Sequence, residues 1–197
     1  MTIRVDLATT IHKCVRKLLF EQAMLLARCD YRAETSCREA CAALDRGFVM
    51  LREHAAHEDE LIFPVLSELD SGLACEAARQ HLALEQHMRE IERIAVGLRL
   101  ATSSERLDLG KQLMQRFNLF VAAQLSHLAF EETELNRVLW RAKTDAELSL
   151  LRQAIRERMP PARGKAWLEL MLDSLDPAEL SLLVPPPPPP PPVPLVA

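Results

Sequence analysis

Two short segments govern how this chain can fold: HAAHEDELIFP at 54–64 and HLAFEE at 127–132. Each sets a histidine and a glutamate four residues apart, His54 with Glu58 and His127 with Glu131, and follows the glutamate with a second acid, Asp59 or Glu132. Four residues is just over one helical turn, so on a helix the imidazole and the carboxylate of each segment share a face as neighbours. Two such faces turned toward each other can hold metal.

The rest of the chain agrees with helix. Five glycines in 197 residues, few β-branched runs and abundant Leu, Ala, Glu and Arg leave no strand signal. His12, Val15, Leu19, Gln22 and Leu26 give one stripe over about 5–29. Ser36 with Glu39 is a capping signature for a second helix, whose stripe is Leu44, Gly47, Leu51, His54, Glu58, Leu61 and Val65, ending near Asp70. A third starts after Gly72 and runs to about Leu100 through Ala74, Ala78, His81, Leu84, Met88 and Ile91, with Glu85 one turn beyond His81. Thr102 and Glu105 form another capping box, opening a fourth with Leu113, Phe117, Phe120, Gln124, His127, Glu131 and Val138 in line.

Four long helices joined by short connections predict an all-α, up-down-up-down four-helix bundle over 1–142. A short C-terminal helical extension is expected at 143–184. In it Thr144 and Glu147 cap a helix that stops before Pro160 and Pro161, and Asp176, Pro177 and Glu179 open a last short helix. Eight consecutive prolines at 185–192 predict a polyproline II segment within a tail of 185–197 that has no core to join.

Bulk properties exclude several roles. The net charge is −4 with lysine and arginine scattered among the acids, so no basic stripe invites nucleic acid. No window approaches the roughly 18 apolar residues of a membrane span, and the N-terminus carries Asp6 and no long apolar run. Five cysteines without a Cys-x-x-Cys pair argue against a disulfide framework and for a reducing, cytoplasmic setting.

Counting from one end of an antiparallel bundle, with 1.5 Å of rise per residue, brings His12, His54, His81 and His127 to similar depth, within about a dozen ångströms. A single histidine on an apolar face is an ordinary core residue. Four at one level with two inward His-x-x-x-Glu pairs bury several polar groups that need partners, and metal satisfies them together.

IHKCVRKLLFEQ at 11–22, REHAAHEDELIFPVL at 52–66, RQHLALEQ at 79–86 and LSHLAFEETELN at 125–136 together resemble the hemerythrin-like, HHE cation-binding family of four-helix bundles. The resemblance covers about residues 5–142. It implies a non-haem di-iron centre, two Fe ions with Mn or Zn as substitutes. The ligands would be His12, His54, Glu58, His81, His127 and Glu131, and Glu58 and Glu131 would bridge. Oxygen-carrying members place two histidines four apart on the third helix, whereas here the second position is Glu85, which would make the site more anionic and favour oxidised iron. His57 would enter the outer shell, and His87 falls off the metal face.

The function expected is binding or sensing of a small diatomic ligand, oxygen or nitric oxide, or of iron itself. A second is a di-iron redox enzyme or iron donor in NO or peroxide stress and iron-sulfur repair, with Glu85 or Glu132 moving protons. A third is a metal-free helical module that recruits a protein through its C-terminal part. No protein partner is named by the residues.

Overall fold

The computed structural model of the chain describes residues 4–159 and 161–183. The expected polyproline segment and the tail 185–197 lie outside the described residues. All regular structure among these residues is helical: α1 (Thr9–Arg28), α2 (Glu34–His57), a π turn (Glu58–Ile62), α3 (Phe63–Leu69), α4 (Ser71–Leu100) and α5 (Ser103–Phe130), followed by a second π turn (Glu131–Leu135), α6 (Asn136–Ala142), α7 (Asp145–Arg158), α8 (Pro161–Ser174) and α9 (Pro177–Leu183). None of these helices is long and apolar enough to cross a membrane.

The helix ends follow local chemistry. Asp6 accepts hydrogen bonds from the Ala8 and Thr9 amides at 2.8 and 2.9 Å, which satisfies donors that the first turn of α1 leaves open. Asp70 caps α4 by accepting from the Leu73 amide at 2.9 Å, and both expected threonine–glutamate boxes form, Thr102 with Glu105 and Thr144 with Glu147. Ser36 does not cap α2. Its hydroxyl accepts from the Asp30 amide at 3.1 Å and donates to the Cys29 sulfur, so it ties the preceding loop together, and α2 begins before it at Glu34. Pro161, expected only to stop a helix, instead starts α8, where a missing N–H costs nothing.

Helices α1 and α2 pack on each other, α4 packs on α2, α3 and α5, and α5 returns to α1. Leu19, Leu26, Leu44, Ile91, Leu98 and Leu113 fill the space between them. Phe120 sits edge-on to Phe48 at 5.6 Å between ring centres and tilted against Phe117 at 5.9 Å. A second apolar cluster, with Ile62, Phe63, Leu66, Leu135, Leu139 and Leu148, occupies the far side of the two π turns. A belt of polar residues therefore lies between two apolar masses.

Each His-x-x-x-Glu segment passes straight into a π turn, where the helix widens to i→i+5 hydrogen bonds: Phe63 to Glu58 and Asn136 to Glu131. In the first, Pro64 cannot donate to the Glu60 carbonyl, and its ring would clash with that carbonyl in a regular helix. In the second, the Thr133 hydroxyl bonds back to the Ala129 carbonyl at 2.8 Å, a contact that loosens a turn. The stripe shifts by one residue in consequence. Ile62 and Leu66 are buried where Leu61 and Val65 are expected, and Leu139 where Val138 is expected.

The extension is anchored to the bundle by specific contacts. Arg163 reaches Glu53 with a two-pronged ion pair at 2.5 and 2.9 Å, and the Trp167 indole N–H donates to the same carboxylate at 3.2 Å. Trp167 is buried with Cys14 and Leu175, which seats α8 on α1.

Candidate metal centre

Six of the seven expected ligands converge. α1 brings His12, α2 His54, α4 His81 and α5 His127, and each π turn begins with a buried glutamate, Glu58 or Glu131. Their facing atoms form two groupings that share both glutamates: His12, His54, Glu58 and Glu131, and Glu58, His81, His127 and Glu131. Within each grouping the candidate ligand atoms lie within 4.8 Å of one another.

The distances describe a compact polar chamber. Glu58 Oε1 is 3.3 Å from His54 Nε2 and 3.7 Å from His12 Nε2, and its Oε2 is 3.5 Å from His81 Nε2. Glu131 Oε2 is 3.3 Å from His12 Nε2 and 3.4 Å from His127 Nε2, while Oε1 is 3.9 Å from His81 Nε2. His81 and His127 meet Nε2 to Nε2 at 3.0 Å. Packing around the imidazoles is tight, with Phe63 stacked on His81 at 4.9 Å between ring centres.

Three of the four histidines are held from behind. The Nδ1–H of His12 donates to Glu132 at 3.0 Å, that of His81 to Asp59 at 2.9 Å, and that of His127 to the Gln80 side-chain oxygen at 3.0 Å. Each bond fixes the tautomer and leaves Nε2 facing the chamber, the arrangement that outer partners of metal-binding histidines supply. Arg16 grips the same Glu132 with two nitrogens at 2.7 and 2.9 Å.

Electrostatics divide the four imidazoles into two pairs. Burial opposes charge on His12, but Glu131, Glu132 and Glu58 outweigh it and push its pKa up to about 11. Burial likewise opposes charge on His81, yet Asp59 and Glu58 raise it to about 10. His54, fully enclosed, drops to about 4, and His127, enclosed and beside His81, drops to about 3. Burial would raise the Glu58 carboxyl, but His54, His12 and His81 hold it well below the usual range, whereas burial and the Glu58 charge lift Glu131 to about 7. Protons on His12 and His81 thus stand in for cations beside two buried carboxylates.

The residues fit a metal ion. Five atoms on the chamber wall, His12 Nε2, His54 Nε2, Glu58 Oε2 and both oxygens of Glu131, make no well-formed hydrogen bond among the described residues and meet only as ion-pair contacts of 3.3 to 3.9 Å. Buried polar groups left without good hydrogen bonds are costly, and all five are nitrogen or oxygen donors suited to a divalent ion. The buried His/Glu cluster can hold a metal ion in either grouping.

Glu85 is not part of it. It lies one turn along α4 from His81, but Arg52 of α2 draws it aside with contacts at 2.9 and 3.2 Å, and Arg89 takes one of the same oxygens at 2.8 Å. Arg52 in turn bonds Glu92, so the carboxylate is satisfied outside the chamber. His57 makes no hydrogen bond to the cluster and lines a neighbouring cavity. Glu132, Asp59 and Gln80 are the outer partners that spacing on one helix does not reveal. One signal was present: each sits next in sequence to a candidate ligand.

Comparison of the chain with protein-family models, with curated proteins and with solved structures finds no match.

Proposed function

We propose that this chain is a hemerythrin-like protein, an up-down-up-down four-helix bundle that holds two iron ions and binds or senses oxygen or nitric oxide. The observation that carries this reading is the pair of groupings that share Glu58 and Glu131, each with two imidazoles. Two ions bound side by side need carboxylates common to both, and helical bundles build such centres from inward His and Glu on four helices. Iron there would supply a change of oxidation state and coordination positions that the protein leaves unfilled. Without Glu85 the two halves carry the same protein donors, so the more anionic site expected from that residue falls away.

The chain's own residues supply the rest. Glu132, Asp59 and Gln80 orient three imidazoles. A cavity of about 430 Å³ between α2 and α4 leads to His54, His81 and His127, walled by Leu51, Ala55, Ala78, Leu84 and Met88 together with Arg52, Asp59, Glu85 and Gln124. Such a passage is wide enough for a small molecule to reach the imidazoles. Binding is favoured over the enzymatic reading because both candidate proton carriers are tied up, Glu85 by Arg52 and Arg89, Glu132 by Arg16 and His12. The five atoms without good hydrogen bonds weigh against a metal-free module.

The test is metal content together with optical spectra of the reduced, oxygen-exposed and NO-exposed protein. About two irons per chain and a reversible ligand-dependent band are expected. Less than one iron after reconstitution, or spectra indifferent to both gases, would overturn the reading.

A further inference from the structure

A second cavity, of about 150 Å³, lies between α1, the first π turn, α7 and α8. Its walls include Leu7, Ile11, Ile62, Ile155, Trp167 and Met171, together with Arg152 and Arg156 of α7. The charges around it are unequally committed. Asp6 accepts from two amides, the Thr9 hydroxyl and Asn136, Glu179 accepts from Lys13, and Glu58 belongs to the metal cluster. The arginines have no such partners: Arg152 Nε is buried without a hydrogen bond, and neither guanidinium pairs with a carboxylate among the described residues.

We propose that this cavity is a binding site for a small organic monocarboxylate with an apolar body. A buried guanidinium donor left without an acceptor costs free energy that a ligand oxygen recovers, and the planar fork of arginine matches a carboxylate in two-point fashion. The apolar wall receives the body. The volume is about half the roughly 300 Å³ at which pockets for drug-sized ligands begin, so the ligand is of benzoate or hexanoate size. Because His54 and Glu58 also line this space, the occupant sits against one half of the metal cluster, and the C-terminal extension, which supplies both arginines, makes the site. The proposal does not rest on the identity of the metal.

The experiment titrates benzoate into the purified full-length protein by calorimetry, with iron measured in the same samples. Benzamide serves as the uncharged isostere. Saturable one-to-one binding of benzoate is expected, at least tenfold weaker for benzamide and at least tenfold weaker in Arg152→Gln. Arg156→Gln, at an exposed position that does not support the fold, is expected to weaken benzoate several-fold with unchanged iron. No saturable benzoate binding by the wild type, equal affinity for benzamide, or full affinity in both arginine variants would overturn the proposal. Loss of iron alone, with arginine-dependent benzoate binding intact, would count against the metal reading and leave this one standing.

Discussion

Glu132 offers the most direct test of how the cluster is held. Its carboxylate accepts the Nδ1–H of His12 at 3.0 Å and is clamped by Arg16, while His12 itself is fully buried. Glu132→Ala removes the acceptor, leaves a buried donor unpaired and frees the ring to turn. Loss of such a partner lowers metal affinity by about 10- to 100-fold, which is ~1.4–2.8 kcal/mol. Glu132→Gln keeps the shape and a neutral acceptor. Charge-assisted hydrogen bonds are about twice as strong as neutral ones, so this variant should lose roughly 1 kcal/mol, about fivefold in affinity. The assay is competition for iron or zinc with a chelator of known affinity, with circular dichroism as the folding check. Arg16→Gln controls for the lost ion pair and Glu134→Ala for charge, since Glu134 is paired only with Arg137 on the surface. The reasoning fails if Glu132→Ala binds metal like the wild type, or if Arg16→Gln costs as much as Glu132→Ala.

Three further outcomes are expected. Glu58→Ala and Glu131→Ala should each abolish stable binding of the metal pair, while Glu85→Gln retains wild-type metal content by elemental analysis; depleted metal in Glu85→Gln would return that residue to the ligand set. Metal binding must displace the protons on His12 and His81, pushed up to about 11 and 10, and the part-proton that Glu131, lifted to about 7, still carries at neutral pH, so about two to three protons should be released per chain at pH 7 and affinity should rise with pH, as calorimetry in buffers of different ionisation enthalpy will show; no net proton release would refute the assignment. Gly110→Ala should destabilise the fold by about 1–3 kcal/mol in a denaturant titration, because an added Cβ would lie 2.4 Å from the Tyr31 ring; unchanged stability would mean that the ring moves aside freely.

How much of this was legible in the sequence depends on whether an interaction runs along one helix or between two. The stripe of His12, Val15, Leu19, Gln22 and Leu26 is fixed by the period of a single helix, and all five are buried in α1. The four histidines and two glutamates were visible for the same reason. Glu85 misled because its spacing from His81 equals that of Glu58 from His54. What separates the two is Arg52, a residue of another helix that only the packed structure brings within reach. Asp59, Glu132 and Gln80 escaped for the converse reason: beside a ligand in sequence they point about 100° away from it around the helix, which reads as solvated until the neighbouring helix arrives. Helix α8 was missed as a separate element because a proline pair looks like an ending, and it is equally a beginning.

The two π turns have a consequence for chain length. In a regular helix each residue advances about 100°, so a step of four overshoots a full turn by about 40°, and three such steps swing a side chain by about a third of the circumference. His54, Glu58, Ile62 and Leu66 stand at that strict step, as do His127, Glu131, Leu135 and Leu139, and all eight are buried. Each wide turn resets the phase by one residue, so that the helix can present ligands before it and apolar anchors after it to the same side. Removing Thr133, whose hydroxyl loosens the second turn, would restore regular helix there and rotate everything downstream by about 100°. Leu135 and Leu139 would then leave the apolar cluster beyond the chamber. One surplus amino acid in each of two helices acts as an indexing step that keeps the candidate ligands and the apolar anchors beyond them in register.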